Sequence, residues 1–442
     1  MGSGGGQPGP EAQASIHAQI PAAAMLLPYA SDRPPRNPPL AVVSLVLLHF
    51  ALFGLVALVA TLQGPEWPVL WYASLSLVPA MLRPWSLVTY SLLHEDVLHL
   101  SVNMLFLWVF GGSVEDALGW RRFLRLYAAA VVLTGLLQAG MALALGGPAR
   151  LIPIVGASGA VSALVGVFAV RFYRSRIRFI GLPVRVPALA LLAAAMAVEM
   201  CAAIWHFASS GLAWQNQTVA HWSHIGGFAL GVLWAQASRM MRAGRIEYLA
   251  ADAAAELERG SPVAAAHRWE AVLAQQPDSL EARVALCHAW MLAGDAEQAA
   301  RACEMAIPGL VKGGRRGEAA RLYLDLQESA PGTVLAPAVQ LSAAAALEEA
   351  GHCAQAARAC QSLLKAHPRS AEAEMALLRL GILRLTRLGD PAGAARALRE
   401  FTQRHPASDW RAYAAEQLRI AESRSAPSRG AGDSPPGSAD AV

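Results

Sequence analysis

Apolar positions along this chain gather into long unbroken runs between about residue 41 and residue 236. Ala41 to Leu62 is 22 residues without a formal charge, long enough as a helix to cross roughly 30 Å of hydrocarbon. Further runs fall at about 92–112, 126–146, 151–170, 187–208 and 213–236. The pattern predicts six spanning helices, since in lipid only helices or closed barrels satisfy every backbone group. Two runs are impure. The second opens with His94, Glu95, Asp96 and His99, and the fifth contains Glu199. An ionisable side chain inside a bilayer is costly, so each of these is a candidate for function.

The pattern changes at about residue 246. From there to about 420 the chain is Ala-rich, charged and helix-favouring, with regular Gly and Pro punctuation. A Gly-x4-Ala step, followed by Pro 17 residues after the Gly, recurs as Gly260/Ala265/Pro277, Gly314/Ala319/Pro331, Gly351/Ala356/Pro368 and Gly389/Ala394/Pro406. Gly294/Ala299 repeats its first part, 34 residues after Gly260. The physics is that of a helical hairpin, in which Gly makes the turn, Ala lets two helices approach and Pro ends the second one. The array resembles tetratricopeptide repeats. Gly294 and Gly314 are only 20 residues apart, so one hairpin there is irregular or shares a helix. Residues 1–38 and 421–442 are rich in Gly, Pro, Ala and Ser and are expected to be disordered.

Composition sharpens the picture. Charged residues are 15% of the 442 and hydrophobic residues 55%, against about 25% charged in an ordinary soluble protein. With 36 basic and 32 acidic residues the formal charge is +4, too small to imply a nucleic-acid partner. The basic residues are unevenly placed. Arg121, Arg122 and Arg125, then Arg171, Arg174, Arg176, Arg178 and Arg185, then Arg239, Arg242 and Arg245 lie in alternate loops, while the opposite loops offer only Arg83 and Arg150. By the positive-inside rule the first set is cytoplasmic, and both termini with it. Only Lys312 and Lys365 are lysines. That bias, with the alanine excess, suggests a GC-rich bacterial genome and hence a bacterial inner membrane. Cys201, Cys287, Cys303, Cys353 and Cys360 show no C-x-x-C spacing, so neither a disulfide framework nor a structural zinc site is expected.

Three constellations could carry chemistry. His94-x4-His99-x3-Asn103 enters the second run. His99 and Asn103, four apart on a helix, share a face. His94-Glu95 begins like the H-E-x-x-H zinc motif, but the second histidine comes at i+5 and swings off the first one's face, so no metal is expected. Gly156-Ala157-Ser158-Gly159 opens the fourth run, and Ala163 and Gly166 continue its small-residue stripe. It is not the G-x-S-x-G elbow of soluble hydrolases, because Ala160 takes the last place and no strand precedes it. Alone, it reads first as a helix-packing face. In the sixth run His224 precedes Gly227 and Gly231, a G-x-x-x-G step on roughly the same face. If these two smooth stripes pack together, Ser158 and His224 can reach hydrogen-bonding distance. A serine hydroxyl is a poor nucleophile until a base takes its proton, and a neutral imidazole does so near neutral pH.

Together these residues resemble the rhomboid family of intramembrane serine proteases, over roughly 40–240. Trp85 to Thr89 resembles the family's Trp-Arg loop motif, and His94-x4-His99-x3-Asn103 follows it. Gly111-Gly112-x2-Glu115-x3-Gly119 resembles the turn after the second helix, and Gly156-x-Ser158-Gly159 and His224-x2-Gly227-x3-Gly231 complete the set in order. The fold expected is all-α: a disordered segment 1–38, a six-helix membrane bundle at 39–240, tetratricopeptide-like repeats at 246–420 and a disordered tail at 421–442. The resemblance implies Ser158 as nucleophile and His224 as general base, a dyad without an orienting carboxylate. It implies His99 and Asn103, with the Ser158 backbone N–H, as oxyanion donors. Trp85 would anchor the first loop, and Glu115 and Gly119 would shape structure. No cofactor is implied. The reaction would be hydrolysis of a peptide bond in or near a transmembrane helix of another membrane protein, with the cytoplasmic repeats binding a protein partner.

The chain departs from the family pattern in places. Ser86 stands where the family usually has Arg. Ser223 replaces the usual alanine. His221 adds a second histidine three residues before His224 but lacks its Gly spacing. Glu199 reads as a protonated or paired residue facing the bundle, and His49 and His206 as interfacial or packing residues. A second reading belongs to another class: a catalytically silent rhomboid-like scaffold whose repeats recruit a partner. Retention of both Ser158 and His224 favours the protease. A small-molecule transporter lacks support, because no broken-helix inverted repeat is visible.

Overall fold

The computed structural model describes residues 28–64, 66–179, 182–208 and 220–425. They form two compact units, the first ending at Arg245 and the second beginning at Ile246.

The first unit is built of apolar helices. In α1 (Leu40–Gln63) only 11% of the apolar window is buried against protein, as suits a helix surrounded by lipid. A long first loop follows, with α2 (Glu66–Leu75), α3 (Ser86–Thr89) and two 3-10 turns, Pro79–Met81 and Tyr90–Leu92. Asp96 caps α4 (Val97–Phe106) by accepting from the His99 backbone N–H at 2.7 Å. A π-helical turn, Leu107–Gly111, joins α4 to α5 (Gly112–Leu118). Gly119, at φ +76°, makes the turn into α6 (Trp120–Leu145), a conformation that favours glycine. Then come α7 (Ser158–Arg171), α8 (Ala188–Ala208) and α9 (His221–Ala237). Among the described residues, Leu40–Gln63, Val97–Leu118, Trp120–Leu145 and Ala188–Trp205 are long and apolar enough to cross a membrane. The protein is a multi-pass membrane protein.

The fourth predicted span differs from expectation, and residues 213–219 of the sixth lie outside the described residues. The run at 151–170 yields a helix only from Ser158, 14 residues long. At 1.5 Å per residue it rises about 21 Å, short of the roughly 30 Å of hydrocarbon. The described part of the sixth begins its helix at His221. Non-helical backbone at membrane depth must find partners within protein, and here the first loop supplies them. Leu77 and Ile154 exchange both backbone bonds, at 3.1 and 2.9 Å, and the Gly156 N–H donates to the Tyr90 carbonyl at 2.9 Å. Every residue of α7 except Ser158 and Ser162 is buried, so this short helix is the axis of the bundle.

A small antiparallel sheet, absent from the expected all-helical unit, has the order β1 (Pro28–Ser31), β2 (Arg176–Phe179), β3 (Leu182–Pro187). It corrects the reading of 1–38 as wholly disordered. Residues 28–31 gain a strand partner distant in sequence, and Asn37 is tied to Asp116. Composition does not register such a partner. Residues 1–27 and 426–442 of the two predicted disordered segments lie outside the described residues.

The second unit is a series of helices, starting within α10 (Met240–Glu258). Next come α11 (Pro262–Gln275), α12 (Leu280–Ala293), α13 (Ala296–Lys312), α14 (Arg316–Ser329) and α15 (Pro337–Glu349). The last are α16 (Cys353–Ala366), α17 (Ala371–Thr386), α18 (Pro391–Arg404) and α19 (Arg411–Ser425). Gly260, Gly294, Gly314, Gly351 and Gly389 all sit at turns with positive φ. Ala265, Ala299, Ala319, Ala356 and Ala394, each five residues further on, are at most 1% exposed. A larger side chain at any of them would force the paired helices apart. The 20-residue spacing also finds its reason. Helix α13 lies between Gly294 and Gly314, so it ends one hairpin and begins the next.

Candidate active site

The site is set by how closely α7 and α9 approach. A Cβ on Gly227 would collide with the Gly159 carbonyl, one on Gly231 with the Ala163 carbonyl, and one on Gly166 with the Phe228 carbonyl. The two backbones therefore touch along two turns, the geometry that small-x3-small stripes permit. At the end of this seam His224 Nε2 lies 2.8 Å from Ser158 Oγ. Ser158 is the first residue of α7, where the helix leaves its leading N–H groups without intrahelical acceptors.

On its other side His224 meets a carboxylate. Its Nδ1 is 3.2 Å from Glu199 Oε1, and His221 Nδ1 is 2.6 Å from Glu199 Oε2. A carboxylate can only accept, so Nδ1 of His224 carries the proton and Nε2 offers its lone pair to the serine. The reading of a dyad without a carboxylate is corrected at this point. Nothing in the sequence signals the pairing, because Glu199 is 25 residues from His224 and only the packing of α8 beside α9 joins them. His221, the competing histidine, faces the carboxylate through Nδ1, whereas His224 bridges carboxylate and serine.

Ser158, His224 and Glu199 open on a cavity of about 600 Å³ that His99, Asn103 and Ser162 also line. Helix α4 supplies the first two of these. Asn103 is 6% exposed, and its amide donates to the His99 carbonyl at 3.0 Å. One amide hydrogen remains for the cavity. A Cβ on Gly156 would lie 3.0 Å from the His99 ring, and Gly156 holds φ at +108°. Glycine is required there twice over, by the torsion and by the neighbouring imidazole. Gly159 has Ser223 and Thr134 where its Cβ would stand. Ser223 is buried, and its N–H donates to Gln138 Oε1 at 3.1 Å, which ties the start of α9 to α6.

The remaining motif residues hold the frame. Glu115, 5% exposed, accepts from the N–H groups of Ala41 and Val42 at 3.0 and 2.8 Å. Its negative charge thereby caps the start of α1. His94 is 1% exposed and packs edge-on between the His49 and His99 rings, at 5.6 and 5.2 Å. Buried His49 also bonds the Leu45 and Ser91 carbonyls. The side chain of His206 lies outside the described residues. Trp85 is half exposed and donates its indole N–H to the Ser74 carbonyl at 3.1 Å. An arginine does stand three residues before Ser86. Arg83 donates to the carbonyls of Ala73 and Ser74 at 3.1 and 3.2 Å, while Ser86 is buried and bonds back to the Arg83 carbonyl. Among the described residues no group of three His, Cys, Asp or Glu is arranged to hold a metal.

This architecture has counterparts among known proteins. Residues 82–239 match the Rhomboid domain family model, and residues 375–408 match a tetratricopeptide repeat. The chain carries a rhomboid-family domain. The rhomboid region is similar to Rhomboid protein 1, mitochondrial, of Saccharomyces cerevisiae, with 30% identity over 194 residues, 42% of this chain and 52% of that one. It is similar to presenilin-associated rhomboid-like protein A, mitochondrial, of Danio rerio, at 29% over 149 residues, 33% of this chain and 35% of that one. It is also similar to rhomboid protease GlpG of Haemophilus influenzae, at 32% over 87 residues, 20% and 41% of the two chains. The chain thus spans about half the length of the first relative and about a third of the second. The mitochondrial names of these two lend no support to the bacterial inner membrane expected from composition. The rhomboid domain contains every residue of the candidate site.

Proposed function

We propose that the protein is an intramembrane serine endopeptidase that hydrolyses peptide bonds in or near transmembrane helices of other membrane proteins. The observation that carries this reading is the 2.8 Å approach of His224 Nε2 to Ser158 Oγ beside a cavity that His99 and Asn103 also line. His224 takes the Ser158 proton as Oγ attacks the scissile carbonyl. His99, Asn103 and the Ser158 backbone N–H donate to the oxyanion as charge develops on it. The imidazolium then protonates the leaving amine, and water activated by His224 releases the acyl fragment. A helix conceals its carbonyls in its own hydrogen bonds, so substrates carry helix-weakening residues near the cut.

The short α7 supports this reading, because it ends within the depth of the membrane and leaves Ser158 at its tip, where water can arrive through the cavity. The name of the Haemophilus influenzae relative includes protease activity, whereas the fish relative is named only rhomboid-like. On this reading the membrane domain, taken as 39–240, does the chemistry, and the repeats, taken as 246–420, bind a cytoplasmic protein. The arginine asymmetry of the loops supports the side assigned to the termini, and the reading requires of the membrane only that asymmetry.

The test is proteolysis in liposomes. The purified protein is reconstituted with a single-span reporter and compared with Ser158→Ala and His224→Ala. Cleavage by the wild type alone is expected. Equal cleavage by all three, or none by any against several helix-weakened reporters, overturns the proposal and turns attention to a scaffold whose working part is the repeats.

A further inference from the structure

Among the described residues Glu199 is the one carboxylate in contact with the candidate base, and it comes from a helix that supplies neither Ser158 nor His224. Its two oxygens are separately engaged, Oε1 by His224 Nδ1 at 3.2 Å and Oε2 by His221 Nδ1 at 2.6 Å. The three side chains are 14–26% exposed. A partly buried carboxylate on an apolar helix is costly unless it has partners. The two histidines are those partners, one helical turn apart on α9. With both oxygens held, the carboxylate cannot rotate away from His224. Helix α8 is otherwise lightly attached, with only 17% of its apolar window buried against the rest of the protein.

We propose that Glu199 is a positioning residue for the candidate base, clamped by His221. The proposal deepens the protease reading and rests on it. Glu199 fixes the tautomer of His224 that turns an unprotonated Nε2 toward Ser158. When Nε2 takes the serine proton, the imidazolium cation lies against an anion already in place. The proton stays on His224, the carboxylate remains ionised, and no bond to Glu199 forms or breaks.

A role through charge differs measurably from a role through packing. In Glu199→Gln the charge is gone and the shape is kept, so a role through charge changes the pH profile of kcat/KM and a role through packing does not. The other titratable groups facing this cavity among the described residues are Glu95 and His99, and the variant leaves both in place. Loss of an orienting carboxylate from a serine-histidine pair costs ~10⁴ in kcat in a fully enclosed site. With the longer, partly exposed contact seen here, about 10- to 100-fold is expected, mostly in kcat.

The experiment uses the full chain in liposomes with wild type, Glu199→Gln, Glu199→Asp, His221→Asn, Ser158→Ala and His224→Ala. Reporter cleavage, the rate of Ser158 labelling by a fluorophosphonate and a thermal unfolding scan are followed across pH 5–9. The proposal expects Glu199→Gln to lose about 10- to 100-fold in kcat and in labelling rate. The midpoint of its pH profile should shift while its unfolding temperature stays near that of the wild type. Glu199→Asp should recover part of the loss, and His221→Asn should lose less than Glu199→Gln. Unchanged cleavage and midpoint in Glu199→Gln, with Ser158→Ala and His224→Ala inactive, overturns this proposal and leaves the protease reading standing. A loss accompanied by an unshifted midpoint and a lowered unfolding temperature assigns Glu199 to packing and also overturns it. Absence of both cleavage and labelling in the wild type defeats the protease reading, and this inference with it.

Discussion

Gly231 of α9 lies against the Ala163 carbonyl of α7 so closely that no side chain fits between them. The geometry of the candidate site depends on this remote contact, because the same seam brings His224 to Ser158. Gly231→Val inserts a branched side chain where backbone already stands and forces the helices apart. Overpacking of this kind costs about 1–3 kcal/mol. The expected result is a lower unfolding temperature together with loss of Ser158 labelling by a fluorophosphonate, although Gly231 touches no reacting atom. Gly140, where a Cβ meets nothing within 4 Å, is the control. Gly140→Ala should leave labelling unchanged.

The two polar side chains that α4 directs into the cavity are expected to act on the transition state rather than on binding. His99→Ala and Asn103→Ala should each lower kcat by about 10²–10³ with little change in KM. Asn103→Ala also frees the His99 carbonyl of its side-chain partner, so its effect should be at least as large. Steady-state cleavage in liposomes measures both, and a change confined to KM would place these residues in substrate binding.

The first loop makes a less obvious prediction. Ser86 is 1% exposed, so Ser86→Arg, which restores the residue usual in the family, buries a guanidinium where there is no room. It should lower the unfolding temperature rather than improve the protein. Arg83→Ala should loosen the loop by freeing the Ala73 and Ser74 carbonyls, seen as faster hydrogen exchange around α2. Equal tolerance of both substitutions would show that Arg83 does not take the missing arginine's place.

The cysteines of the repeats give a pH dependence. Burial pushes the Cys360 thiol up to about 12, and contact with the Cys303 thiol together with burial pushes Cys287 up as well. The folded state therefore holds protons that the unfolded state releases from about pH 9, the ordinary thiol value. Stability from this source is complete below pH 9 and is lost as the pH rises toward 12. Maleimide labelling followed by mass spectrometry should find Cys287, Cys303 and Cys360 protected at pH 8 and Cys353, which is partly exposed, modified. Protection should fall as the pH is raised beyond 9. Protection independent of pH would remove the thiols from the stability balance.

Much of this protein is written locally in its sequence. Long apolar runs determine which segments become membrane helices, because a backbone in lipid must satisfy itself within one helix. Turn glycines, buried alanines and terminating prolines determine the repeats, because each acts within a few residues of its own position. The order of the rhomboid motifs, and the small-residue stripes that bring His224 to Ser158, are legible for the same reason. Tertiary structure alone decided what depends on contacts between distant segments. The start of α7 at Ser158 rather than near residue 151 follows from backbone bonds to the first loop. The strand at 28–31 exists because β2 receives it. Arg83 reaches the carbonyls of Ala73 and Ser74 because the first loop folds back on α2. Glu199 meets His224 because α8 folds beside α9. An apolar periodicity records which face of a helix is buried, and no local pattern records which distant side chain will lie opposite.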